Sequence, residues 1–150
     1  MNCSVPTPLK RAVFDRAIAA LSVLSCIVYI FTAAPTVFWL DSSEWVAGAF
    51  ELGIPHPPGH PLFIILGKIA TLIPLGSIPF RIHLLCGLMI SCTIWIAGKV
   101  ALEIWGEKSG LAILLCLPLI GLSLPMWFHG VRAEVYPLNL LIGTLIIWCC

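Results

Sequence analysis

The sequence predicts an all-α integral membrane protein of about four transmembrane helices, with short interfacial or re-entrant helices in the loop after the first. Three observations lead there: the composition, four long apolar runs, and a proline-rich polar block between the first two of them. Of 150 residues, 60% are hydrophobic and 10% are charged, and the mean hydropathy is +1.06. A soluble domain carries roughly a quarter charged residues, so the implied solvent is lipid. The formal net charge of +1 offers no basic patch for nucleic acid.

The elements follow in chain order. Residues 1–16 form a polar cytoplasmic head that holds Lys10, Arg11 and Arg16. Ala17–Leu40 carries no charge and exceeds the roughly 20 apolar residues that cross a bilayer, so it is a first span. The small residues Thr32-Ala33-Ala34 would suit a signal-peptidase site. The apolar run is longer than a typical signal core, however, and Pro35 would follow the cut, which favours a retained span. Residues 41–79 make an outer loop. Glu44–Gly53 reads as a short helix. Pro61–Leu75 is apolar but brief, with Lys68 in its middle, and so is expected to be interfacial or re-entrant. Phe80–Trp105 is a second span and Leu111–Phe128 a third, interrupted by Pro118 and Pro125. Leu138–Cys150 is a fourth, shorter than a bilayer needs, so the chain reads as the N-terminal piece of something longer or as a truncated product. Residues 17–150 form one membrane domain.

Lysine and arginine placement orients the spans. With the N-terminus inside, inner segments hold Lys10, Arg11, Arg16, Lys99 and Lys108, while outer ones hold Lys68, Arg81 and Arg132. Residues 41–79 and 129–136 then share the non-cytoplasmic face. The seven cysteines lie mostly in apolar runs, where cysteine packs as a small hydrophobe. Trp39, Trp45, Trp105 and Trp127 fall near segment ends, as an aromatic belt would.

Three constellations carry chemistry. Asp41-Ser42-Ser43-Glu44 follows the first span and sets two carboxylates on one helical face. Asp41 or Ser42 suits a helix cap, and either carboxylate suits a general base at the membrane boundary. Gly53-Ile54-Pro55-His56-Pro57-Pro58-Gly59-His60-Pro61 excludes regular structure and fixes two imidazoles. No spacing supplies further metal ligands, so contact with an anionic or sugar ligand is expected instead. His129-Gly130-Val131-Arg132-Ala133-Glu134-Val135-Tyr136-Pro137 brings an arginine to the membrane edge. Arg132 could snorkel, pair with Glu134 or a first-loop carboxylate, or clasp a phosphate with two parallel hydrogen bonds.

These residues carry a resemblance. Phe38-Trp39-Leu40-Asp41-Ser42-Ser43-Glu44, then Leu52 through Leu62 with its proline-histidine block, then Arg81 heading a span, then Ala133-Glu134-Val135-Tyr136-Pro137-Leu138-Asn139 resemble the family catalogued as domain of unknown function 2723. The match runs from about residue 30 onward, with Ser43 where that family commonly has glycine. Its members are multispanning proteins similar to the GT-C glycosyltransferases and to protein O-mannosyltransferases. The resemblance implies the N-terminal part of a GT-C-like bundle. It implies transfer of a sugar, mannose-like, from a polyprenyl or dolichyl phosphate donor to a protein hydroxyl or other acceptor on the non-cytoplasmic face. The donor is a substrate, and no cofactor is implied.

By the same resemblance Asp41 or Glu44 is the catalytic carboxylate. His56, His60, Arg81, Arg132, Glu134 and Tyr136 are substrate-binding candidates, with Arg132 or Arg81 facing the departing phosphate. Such a protein sits in a bacterial inner membrane or an endoplasmic reticulum membrane, among lipids and further membrane helices. A second reading is a non-catalytic or degenerate membrane module. A third is a small transporter using Lys99 and Glu103 as intramembrane charges.

Overall fold

The computed structural model describes residues 8–38 and 41–150, and among these every regular element is helical. The chain runs α1 (Pro8–Thr32), α2 (Ser42–Glu51), α3 (Pro61–Thr71), α4 (Ile78–Trp105), a 3-10 turn (Glu107–Ser109), α5 (Gly110–Gly121), α6 (Leu124–Gly130) and α7 (Tyr136–Cys149).

Two helices are long and apolar enough to cross a membrane, over Lys10–Thr32 and Ile78–Trp105. Of the four expected spans, two are thus present as helices of bilayer length, and α5 with α6 makes a third if the pair counts as one span. That pair is bent by 58°. Ser123 takes an extended backbone there, and α6 begins with a proline in its first turn, where an imino acid is tolerated but cannot continue the preceding helix. The expected fourth span is the 14-residue α7.

The first span also differs from its expected bounds. Helix α1 starts at Pro8 and ends at Thr32, because Pro35 cannot donate to a helical ladder. The end of the expected span, Trp39-Leu40, and the start of the head, residues 1–7, lie outside the described residues.

Helices α1 and α4 pack antiparallel, and a ladder of contacts fixes the register. Arg11 pairs with Glu103 at 3.4 Å and Asp15 with Lys99 at 2.5 Å. The Ser22 hydroxyl donates to Ser91 O at 2.6 Å, and His83 Nδ1 lies 2.7 Å from Ala34 O. The ladder accounts for Lys99 and Glu103 as ion-pair partners near the α1 start. Two apolar clusters hold the bundle. One is built on Ile18, Tyr29, Ile90, Ile94 and Leu117 between α1, α4 and α5. The other is built on Trp45, Phe63, Ile82, Cys86 and Leu138 and joins the α2–α3 hairpin to α4 and α7.

This register places the α1 exit, the α2–α3 hairpin, the α4 start and the α6–α7 loop at one end. Ala34 N donates to Val131 O at 3.0 Å, and the buried Ser42 hydroxyl accepts from Ala133 N at 3.2 Å. The two loops that hold the unusual polar residues are therefore stitched to each other.

Candidate active site at the stitched end of the bundle

Helix α2 opens with the two carboxylates. Asp41 precedes it in helical conformation and makes no side-chain cap. The Ser42 hydroxyl is turned to Ala133, so the first turn is not capped as the sequence suggested. Glu44, one turn on, reaches the proline block instead. Its Oε1 accepts from the His56 backbone N at 2.5 Å, and its Oε2 lies 2.7 Å from His56 Nδ1. This two-point contact holds the Glu44 carboxyl below its ordinary range and raises the His56 imidazole above its own, with Asp41 and Glu134 adding to the rise. Proximity of opposite charge and hydrogen bonding to the charged form both act that way.

Trp45 fixes the imidazoles. It is 2% exposed, and its ring meets His56 edge-on at 5.1 Å, His60 at 5.4 Å and Phe63 at 5.8 Å. The aromatic-belt expectation fails at this residue: Trp45 is a buried platform, placed by the α2 period and the return of α3. His60 stands at the start of α3 with φ +39°, and Gly59 before it takes φ +84°, so the block turns sharply through left-handed backbone. An apolar groove of about 360 Å³ runs beside it, lined by Leu52, Ile54, Pro58, Pro61 and Ile65 among others. It lies next to the charged cluster rather than in it.

The α6–α7 loop brings the second half. Arg132 and Glu134 pair at 2.8 Å with side chains only 5% and 6% exposed. The guanidinium lies 3.9 Å from the centre of the Phe128 ring and 5.9 Å from that of Phe38. Among the described residues its Nε and Nη1 are buried without a hydrogen-bond partner. Leaving such donors unpaired costs about 1–3 kcal/mol each, and more for a charged group. Burial raises the Glu134 carboxyl above its ordinary range, although Arg132 pulls it down; Asp41 and His56 act on it as well. Asp41, Glu44, His56, Arg132 and Glu134 thus form one electrostatic group.

The structure does not bring Arg81 into that group. Arg81 donates to Thr71 O at 2.6 Å, Gly76 O at 2.9 Å and Leu75 O at 3.0 Å, so it closes the turn between α3 and α4. Tyr136 stands at the rim, half exposed, with its ring 4.8 Å from that of His129. Sequence reasoning missed Trp45 as the platform and His83 as the buried link to Ala34. Neither carries a sequence signal beyond lying in an apolar segment. Among the described residues, no group of three or more His, Cys, Asp or Glu is placed to hold a metal.

Comparison with known proteins adds the family. A model described as the protein O-mannosyl-transferase TMEM260 N-terminal domain matches residues 41–150. The mouse protein O-mannosyl-transferase TMEM260 is 34% identical over 129 residues, covering 79% of this chain and 18% of the relative. The Dictyostelium discoideum protein of that name is 31% identical over 121 residues, covering 77% of this chain and 14% of the relative. The chain thus spans less than a fifth of the length of these relatives. No solved structure matches. The matched region begins at Asp41 and contains the whole polar cluster; the chain belongs to the protein O-mannosyl-transferase TMEM260 N-terminal domain family.

Proposed function

We propose that this chain supplies part of the active site of a membrane O-mannosyltransferase, which moves a mannose-like sugar from a polyprenyl or dolichyl phosphate donor to an acceptor hydroxyl on the non-cytoplasmic face. One observation carries the reading. Carboxylates from α2, imidazoles from the proline block and a buried arginine from the α6–α7 loop converge at one end of an apolar bundle. A donor whose lipid stays in the bilayer presents its reacting carbon at such a boundary.

Asp41 takes the acceptor's proton. It is exposed, and its carboxylate accepts no hydrogen bond among the described residues, so it is free to do so. Glu44 is a positioning residue, since both its oxygens are committed to His56. Arg132 faces the phosphate that leaves. His60 and Tyr136 contact the sugar. Attack by the hydroxyl oxygen on the anomeric carbon forms the new glycosidic bond as the bond to the phosphate oxygen breaks. The proton goes to Asp41, the electron pair goes to the phosphate, and the anomeric configuration inverts.

The test is a chimera in which this chain replaces the matching segment of the mouse relative, assayed for transfer from a polyprenyl-phosphate sugar to an acceptor peptide. Asp41→Asn should lower the rate about 10²–10⁴-fold, the usual contribution of general-base help. The melting temperature should not move, because no cap is lost. Transfer within a few fold of the parent chimera would reject Asp41 as the base.

A further inference from the structure

Arg132 is buried, yet its hydrogen-bonding capacity is mostly unused. A guanidinium offers a two-pronged anion two edges, Nη1–Nη2 and Nε–Nη2, and both contain Nη2. Glu134 holds Nη2 with a single contact at 2.8 Å. Nη2 has one N–H on each edge, so this contact engages one of them, while Nε and Nη1 have no hydrogen-bond partner among the described residues; both are closed to solvent, so a second anion reaches either edge only if a neighbouring side chain moves. A permanent structural ion pair of this geometry would be expected to fill one edge, as Arg–carboxylate pairs commonly do. The Phe128 ring, 3.9 Å from Cζ, meanwhile fixes the guanidinium plane and closes its face to hydrogen bonds.

We propose that Arg132 is a buried phosphate-binding site and that Glu134 is its resident counterion, which an incoming phosphate group displaces. A phosphate has enough terminal oxygens to take one full edge and to reach the remaining donor. A carboxylate on so short a tether, two residues away, does not. Glu134 interacts with Asp41 and His56 as well as with Arg132. A phosphate in its place would therefore stand within electrostatic reach of the proposed base. The inference rests on the transferase reading only for the lipid that carries the phosphate, and binding is read without any transfer step.

The test uses the chain in lipid nanodiscs and compares three additions: polyprenyl phosphate, inorganic phosphate, and phosphatidylglycerol as an ordinary anionic lipid. Wild type should bind polyprenyl phosphate. Glu134→Gln keeps the shape but removes the competing charge, so it should bind about tenfold tighter or more, the size expected when one close ion-pair contact no longer competes. Its melting temperature alone should fall, since an unpaired buried charge remains, and should recover on phosphate addition. Arg132→Lys should weaken binding in either background. If Glu134→Gln does not fold, Glu134→Asp draws the carboxylate back by one methylene and carries the same expectation. Equal binding of inorganic phosphate would support the site and assign it to free phosphate. Binding unchanged or weakened by loss of Glu134, or phosphatidylglycerol bound as well as polyprenyl phosphate, would overturn it.

Discussion

Glu44 and His56 are twelve positions apart, and their two-point contact ties the proline block to the first turn of α2. The pair stabilises the block through charge, and the signs set a pH window. Glu44 is lowered from its ordinary 4.5, so its contribution is complete above that value and is lost as pH falls through the lowered one. His56 is raised from its ordinary 6.5, so its contribution is complete below that value and is lost as pH rises through the raised one. Amide hydrogen exchange of residues 53–60 should therefore be slowest, after correction for intrinsic rates, between about 4.5 and 6.5. Protection should decline on the alkaline side, and both the protection and its decline should shrink in Glu44→Gln, which removes the largest cause of the raised imidazole. A flat profile on the alkaline side would mean that the neutral imidazole holds the block as well as the charged one. The sequence made both residues candidates through their company of prolines and acids. It could not pair them, because contact depends on how sharply the block turns at Gly59 and His60. Arg81 shows the converse: a charge at a helix start looked available, and only the path of residues 71–76 reveals three carbonyls waiting for it.

Helix α3 is the element on which the membrane topology turns. It holds eleven residues, roughly 16 Å at 1.5 Å per residue, about half of what a hydrocarbon core needs. Lys68, in its last turn, folds back to donate to Phe50 O and stands 5.0 Å from the Phe50 ring, so its charge is returned to the end of α2. The two helices touch closely. A Cβ at Gly67 would come 2.7 Å from the Ala49 Cβ, too near for both helices to keep their places. Gly67→Ala should thus lower stability by about 1–3 kcal/mol, the usual cost of overpacking, measured as a fall in melting temperature in detergent. A reporter fused after Gly76 should report the same side of the membrane as one fused after Gly53. Opposite sides would make α3 a span and reverse every later element. The brevity of this segment and its central charge were legible from the sequence. The bend between α5 and α6 was legible only as two prolines, since a proline can also sit inside a helix, as Pro118 does within α5.

At the scale of the whole molecule, the antiparallel α1–α4 ladder sends two loops to one end and the Glu107–Ser109 turn to the other. Contacts from Arg11–Glu103 to Ala34–His83 fix that arrangement along the full length of both helices. The sequence anticipated it from the lysine and arginine bias, which sorts loops between sides but cannot show that they touch. Touching required Ser42 to spend its hydroxyl on Ala133 and Ala34 to pair with Val131. Single cysteines in a background without the native seven make the arrangement measurable in intact cells. Ile54 is 93% exposed and Tyr136 53%, so both positions are open to reagent, whereas a side chain at Gly130 would strike the Tyr29 ring. Ile54→Cys and Tyr136→Cys should react alike with a membrane-impermeant maleimide. Lys108→Cys should react only after the membrane is opened, as the positive-inside bias of the N-terminal segment predicts. If Ile54→Cys and Tyr136→Cys behaved differently from each other, the stitched end would not exist in the membrane, and the carboxylates of α2 could not serve one site with Arg132. If all three reacted together in sealed cells, the ladder would stand, but the bundle would not separate its two ends across a bilayer.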